Sequence, residues 1–186
     1  DLKNLIGHDG GNTYKVIKET LGDYGYKIVP LVLNASEYGN IPQNRERIYI
    51  IGFSDIEDYE NFRHIEPVPL TKKISDIVDY DLKVDDKYYY TKEKNKFYNE
   101  LEENITNPNT LYQWRRVYVR ENKSNLSPTL TANMGTGGHN VPLVLTKHGI
   151  RKLTPKECFL FQGFPKDFIL PEDMAQSHLY KQAGNS

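Results

Sequence analysis

The sequence predicts an α/β protein in which the edge of a sheet is followed by a small, irregular insert, and three observations carry that prediction. Residues 12–53 read in the order helix, strand, loop, strand, which fits the edge of an α/β sheet. After Phe53 the chain turns polar and its periodicity weakens. At 151–165 the sequence spells out a helix start with unusual clarity.

The elements follow in chain order. Tyr14, Ile17 and Leu21 recur at helical spacing, with Gly22 near the end, so residues 12–22 predict a short amphipathic helix. Tyr26 to Leu33 is almost continuously apolar and suits a buried strand. Arg47 to Phe53 is a second such strand, dominated by Ile48, Tyr49, Ile50 and Ile51, and Gly39 and Pro42 mark the loop between them. Residues 54–111 are rich in Asp, Glu, Lys, Asn and Tyr and predict an irregular insert with a helix near 92–104. Val117 and Val119 alternate with Tyr118 and Arg120 in a predicted strand, and Thr129-Leu130-Thr131 and Val141 to Leu145 are two more. Met134 to Gly138 must be a loop. In the last motif Thr154 and Glu157 form a capping box, Pro155 takes the first helical position and Gly163 is a natural stop.

Composition narrows the class. With 186 residues, 38% of them hydrophobic and 12% aromatic through 14 tyrosines, the chain can bury a core and is too aromatic for a disordered segment. No apolar run has membrane-spanning length and no secretory signal is present, so no membrane partner is expected. A single cysteine excludes an internal disulfide, and five histidines (His8, His64, His139, His148, His178) lack metal-ligand spacing, so no metal is expected. The net charge of −1 hides a segregation. Residues 54–111 carry 14 acidic and 8 basic residues, a net of −6, whereas 112–152 carry 7 basic and 1 acidic residue, a net of +6. A basic block with interleaved aromatics can mark a polyanion surface or a solvated charged face.

Four constellations could carry chemistry. If strand pairing begins at Gln43, then Gln43, Arg45 and Arg47 share one face, and two guanidinium forks with an amide could hold a phosphate or the acceptor edge of a base. The alternative is a surface salt-bridge ladder using Glu46. Thr129, Leu130, Thr131, Asn133, Gly135, Gly137, Gly138 and His139 combine backbone freedom with groups that can bond base edges or phosphates. Taken alone, that run is by default a long hairpin loop, and it matches neither common nucleotide-binding glycine motif. Tyr112 to Arg120 alternates aromatics with Arg115, Arg116 and Arg120, which suits nucleic acid or a half-exposed strand with Trp114 inward. Cys158 falls in the first turn of its helix but among Leu153, Phe159, Leu160, Phe161 and Phe164, which points to packing rather than to a nucleophile.

Three segments together resemble the C-terminal part of bacterial DNA cytosine-5 methyltransferases. Gln43-Asn44-Arg45-Glu46-Arg47, with the strand to Gly52, is similar to the family's Q-x-R-x-R motif. Arg151 to Pro165 resembles R-x-L-T-x-R-E-x-x-x-x-Q-G-F-P, with Lys156 at a usual arginine, and Gly184-Asn185-Ser186 resembles the start of G-N-S-V. The order is the family's, and the match runs end to end. The resemblance implies the C-terminal strands of a Rossmann-like methyltransferase sheet with an inserted target-recognition domain. Residues 1–53 would be the C-terminal part of the catalytic domain, 54–171 the recognition domain with its organising helix, and 172–186 the return to the catalytic domain.

The same resemblance implies function. The activity would be methyl transfer from S-adenosylmethionine to a flipped cytosine in a specific duplex sequence, in a bacterial, cytoplasmic restriction–modification system. Arg47, with Arg45 and Gln43, would hold the flipped base and the catalytic loop. Arg115, Arg116, Arg120 and the 129–140 loop would face the major groove, and Asn185 and Ser186 would border the cofactor. The family's Pro-Cys nucleophile, Glu-Asn-Val motif and glycine-rich cofactor motif do not occur, and Asp1 to Leu5 resembles the tail of the Glu-Asn-Val motif. Both ends look cut, so the expected partners are double-stranded DNA and an N-terminal catalytic part, in cis or as a separate subunit, and the chain alone is expected to be inactive. Two other readings stay open: a natural non-catalytic DNA-specificity subunit of a split methyltransferase, and an unrelated DNA-binding module.

Overall fold

The computed structural model describes residues 5, 7–135 and 141–186. Helix α1 (Asn12–Asp23) turns Tyr14, Ile17 and Leu21 to one half-buried face. It ends where Gly25 takes a left-handed φ of 89° and the Tyr26 N–H returns to the Leu21 carbonyl. Strand β1 (Lys27–Asn34) then pairs antiparallel with β2 (Glu46–Phe53), in a register running from Lys27 opposite Phe53 to Asn34 opposite Glu46. Both strands were expected to be buried, yet Leu31 is the only buried residue in them. The physical reason is that, among the described residues, the two strands pair only with each other.

The β1–β2 connection holds a short helix, α2 (Ala35–Tyr38), started by the Asn34 side chain accepting from the Ser36 N–H. After β2, Asp55 caps α3 (Ile56–Asn61), and Phe53 packs against Tyr59 and Phe62. The chain then runs without regular structure, apart from 3-10 turns at Ile74–Asp76 and Asp86–Tyr88, to α4 (Tyr98–Asn104), which is shorter than the helix expected near 92–104.

A second, antiparallel sheet follows in the order β4-β3-β5-β6, from β3 (Tyr112–Trp114), β4 (Val119–Glu121), β5 (Leu143–Thr146) and β6 (Gly149–Lys152). The Tyr112 to Arg120 run is therefore a hairpin and not one strand. Arg116 adopts a left-handed φ of 70°, and the Arg115 N–H closes on the Tyr118 carbonyl at 2.9 Å. Thr129-Leu130-Thr131 forms no strand. Ser127 just before it makes an isolated parallel bridge with Gln43.

The second sheet separates two apolar layers because β5 side chains alternate between its faces. Leu143 joins Leu101, Ile105, Tyr112, Trp114 and Ile150, with Phe97 stacked on Trp114 at 4.7 Å. Val144 joins Leu130, Met134, Leu153, Cys158, Phe161, Tyr180 and Ala183. The second layer is built by α5 (Pro155–Phe161) and α6 (Gln176–Asn185). Helix α5 starts as its sequence predicts: Thr154 accepts from the Glu157 N–H, and Glu157 accepts from the Thr154 N–H at 2.7 Å. Glu157 also takes both forks of the fully buried Arg151, at 2.7 and 2.8 Å, so one carboxylate joins β6 to the helix start.

Candidate functional site

The site begins with alternation along the edge of β2. Gln43 is fully buried and does not reach a cleft. Its amide nitrogen donates to the Phe161 carbonyl at 2.6 Å, and its oxygen accepts from the Leu130 N–H at 3.1 Å. Two residues on, Arg45 donates through Nη1 to the Leu130 carbonyl at 3.0 Å and through Nη2 to the Gly184 carbonyl and the Ser186 main-chain oxygen. Leu130 is thus held at both its N–H and its carbonyl by two side chains of one motif. Among the described residues the Arg47 side chain makes a single hydrogen bond, from Nη1 to the Glu46 carbonyl at 2.7 Å.

Arg45, just before β2, and Arg47 and Tyr49 on one face of it line a cleft of about 460 Å³ together with Asn34, Tyr38, Ile65, Lys72 and Gln162. Among the described residues no carboxylate lines it. Burial, and then the neighbouring Arg47 charge, hold the Arg45 guanidinium below its ordinary value. The cleft is a concentration of positive charge with no internal counter-ion, suited to an anionic or acceptor-rich ligand.

A seam ties this edge to the segment before the glycine-rich loop. The Ser127 N–H donates to the Pro42 carbonyl at 2.7 Å and the Asn44 N–H to the Ser127 carbonyl at 2.8 Å. The Thr129 hydroxyl donates to the Asn44 carbonyl at 2.6 Å. Helix α6 closes on the same segment: a Cβ on Gly184 would lie 2.2 Å from the Thr131 carbonyl carbon, and one on Gly135 would lie 2.7 Å from Tyr180 Cβ. The Thr131 hydroxyl donates to Asn133 at 2.7 Å.

The structure therefore gathers Gln43, Arg45, Thr129, Leu130, Thr131 and the end of α6. Arg115, Arg116 and Arg120 lie exposed on the β3–β4 hairpin of the second sheet, beside exposed Val117 and Tyr118. Gly137, Gly138 and His139 fall outside the described residues. Asn185 is exposed at the last turn of α6, and the Ser186 hydroxyl donates back to the Gln182 carbonyl at 2.9 Å. Their amide and hydroxyl groups, next to Arg45, could form one polar edge of a cofactor site. Cys158 is fully buried, and desolvation, then the Glu157 charge, push its thiol well up, which removes it as a nucleophile. Among the described residues no group of three or more His, Cys, Asp or Glu could hold a metal, and no helix is long and apolar enough to cross a membrane. Sequence reasoning missed Asn40 and Lys72, which carry no local signal: one sits in a loop, the other in a polar insert.

The family model of the C-5 cytosine-specific DNA methylase matches residues 2–186. The type II methyltransferase M.Bsp6I of Bacillus sp. (strain RFL6) is 66% identical over 186 residues, which are 100% of this chain and 59% of that protein. The type II methyltransferase M.HhaI of Haemophilus parahaemolyticus is 33% identical over 199 residues, covering 100% of this chain and 57% of that protein. Among solved structures, the S. pombe Dnmt2 methyltransferase aligns with a TM-score of 0.64 at 17% identity, over 97% of this chain and 57% of that one. An Entamoeba histolytica methyltransferase aligns with a TM-score of 0.62 at 16% identity, over 95% of this chain and 54% of that one. The likeness fixes the fold as a portion of a methyltransferase α/β fold. The chain spans little more than half the length of these relatives.

Proposed function

This chain belongs to the C-5 cytosine-specific DNA methylase family, and on that premise we propose that it works as part of a type II restriction–modification methyltransferase that methylates carbon 5 of a cytosine in duplex DNA. The observation that supports this best is the position of Arg47. It is two residues beyond Arg45, on β2, in an acid-free cleft, and it keeps most of its donors out of the protein's own hydrogen bonds.

Taking a cytosine out of the stack costs a few kcal/mol, and fixed polar groups must replace its lost partners. Arg47 donates to the acceptor edge of the extruded base. Gln43 and Arg45 are positioning residues: they fix Leu130, and through it the segment that leads to the glycine-rich loop. Residues 54–171 read the duplex, with Arg115, Arg116, Arg120, Thr129, Leu130, Thr131, Asn133, Gly135, Gly137, Gly138 and His139 at the DNA. S-adenosylmethionine supplies the methyl group as a sulfonium electrophile, and Asn185 and Ser186 border it. The one cysteine, Cys158, is buried, which leaves the attack on carbon 6 to a thiol outside these 186 residues, and the bacterial source of the type II relative supports a place in the bacterial cytoplasm.

The test is transfer of labelled methyl groups to duplex DNA. The complete enzyme transfers them, and residues 1–186 alone do not. Arg47→Met in the complete enzyme lowers kcat by about 10²-fold or more, the scale for loss of a preorganised electrostatic donor. An Arg47→Met enzyme with kcat within twofold of the parent would sink the role given to this residue.

A further inference from the structure

We propose that Lys72 is a contact for the sugar-phosphate backbone, standing on a ridge between two acid-free hollows along which the strand carrying the extruded base runs. The inference rests on the methyltransferase reading above and adds a path for the DNA strand within the insert.

Lys72 lines the cleft that holds Arg45 and Arg47, and it also lines a second hollow of about 440 Å³. The second hollow offers Lys73, Ser75, Asn109, Ser124 and Asn125 as donors beside apolar Leu70, Ile74 and Leu126. Neither lining contains an aspartate or a glutamate, although residues 54–111 hold 14 of them. Where acids are that dense, two adjoining concavities walled by Arg45, Arg47, Lys72 and Lys73 and by no acid favour an anion, with Asp76 turned to the Lys73 N–H at 2.8 Å. Among the described residues Lys72 makes no ion pair, unlike Lys83, Lys87, Lys92 and Lys147, which each face a carboxylate.

The lysine is also held in place. Asn40 sits in the left-handed region at φ 49° and uses its side chain as a buckle across 31 residues. Its Oδ1 accepts from the Thr71 N–H at 2.8 Å and the Lys72 N–H at 3.1 Å, and its Nδ2 donates to the Thr71 hydroxyl at 2.9 Å. The Val68 N–H adds a bond to the Glu37 carbonyl at 2.8 Å. The loop that bounds the Arg47 cleft therefore fixes the backbone from which Lys72 projects. A DNA strand is a regular row of anions, so a lysine whose main chain is fixed between two hollows can swing its ammonium to successive phosphates without reading sequence.

The experiment is equilibrium binding of the complete methyltransferase to a duplex with its target sequence and to one without, each between about 50 and 200 mM salt. Lys72→Gln should weaken binding to both duplexes by the same factor and reduce the salt slope by about 1. Lys72→Arg should restore the slope. Asn40→Gly tolerates the left-handed backbone but removes the buckle, and it should weaken binding in the same sequence-independent way, with the double variant no weaker than Lys72→Gln. An unchanged slope for Lys72→Gln overturns the assignment, as does a loss confined to the target duplex. A parent enzyme that binds neither duplex overturns the methyltransferase reading itself.

Discussion

At the scale of single residues, function in this chain is decided by whether a polar group has been used up by the fold. Arg151 gives both terminal nitrogens to Glu157, and its remaining donor, Nε, is unpaired but fully buried, so no ligand reaches it. Gln43 is consumed in the same way, by Phe161 and Leu130. Arg47, with one bond to a neighbouring carbonyl, is the exception within its motif. Cys158 is the opposite case, a reactive group made inert by its surroundings. It is fully buried in the same layer as Leu153 and Phe161, and a thiolate there would be an unpaired buried charge. Replacing Cys158 by serine in the complete enzyme should leave methyl transfer within about twofold, since the new hydroxyl can bond back to the Thr154 carbonyl one turn earlier. Stability should fall by about 1–2 kcal/mol, read as a lower Tm. A tenfold loss of transfer at a temperature where the variant is still folded would mean that the thiol does more than pack.

At the scale of elements, what could be read in advance depended on whether the signal was local. Helix α5 was legible to the residue because capping is a contest among neighbours: Thr154, Pro155 and Glu157 settle it within one turn. The apolar runs that became β1 and β2 were legible for the same reason. The β3–β4 hairpin was not, because its turn is Arg115-Arg116-Val117-Tyr118, with none of the usual turn residues, and a left-handed arginine has no sequence signature. Nor was the seam between 42–45 and 127–130, whose partners lie about 85 residues apart and are joined partly by side chains. Gly184 shows the limit well. In sequence it is only the first residue of the motif whose Asn185 and Ser186 are expected at the cofactor, whereas the structure uses Gly184 itself to let α6 touch the backbone of Thr131. A Cβ there would sit 2.2 Å from a carbonyl carbon and 2.4 Å from the Ala132 nitrogen, contacts that no rotamer can relieve. Gly184→Ala should therefore push α6 off the 131–135 segment and cost at least the 1–3 kcal/mol of ordinary overpacking. Urea denaturation measures this as a lower midpoint. A variant as stable as the parent would show that the helix and the segment are not in that contact.

At the scale of the whole molecule, the core carries an unusual load of weak acids, and this sets how stability responds to pH. Desolvation raises the phenols of Tyr80, Tyr88, Tyr90 and Tyr180 above the ordinary tyrosine value, and it raises the Cys158 thiol. Tyr180 has a further reason to keep its proton, since its hydroxyl donates to the buried Leu153 carbonyl at 2.6 Å. The downward shifts at Asp85 and Glu93 fall on fully exposed carboxylates that bear little on folding, and the downward shift of partly buried Lys152, set by desolvation, offsets only one of the five retained protons. The sign follows from linkage. Below about pH 8 both folded and unfolded chains hold these protons, and the full stability is present. As pH rises through about 8.5 for the thiol and about 10 for the phenols, the unfolded chain releases protons that the folded chain retains, so stability is lost progressively towards the raised folded values. Tm should be nearly flat between pH 6 and 8 and should fall increasingly above about pH 9. Tyr180→Phe separates the two roles of that residue. It should lower Tm at neutral pH, because the Leu153 carbonyl is left without its donor at a cost of about 1–3 kcal/mol. It should also make the alkaline fall shallower, because one of the retained protons is gone. Melting curves from pH 6 to 10.5 for parent and variant decide the matter: parallel alkaline limbs would mean that Tyr180 titrates as freely in the folded protein as in the unfolded chain.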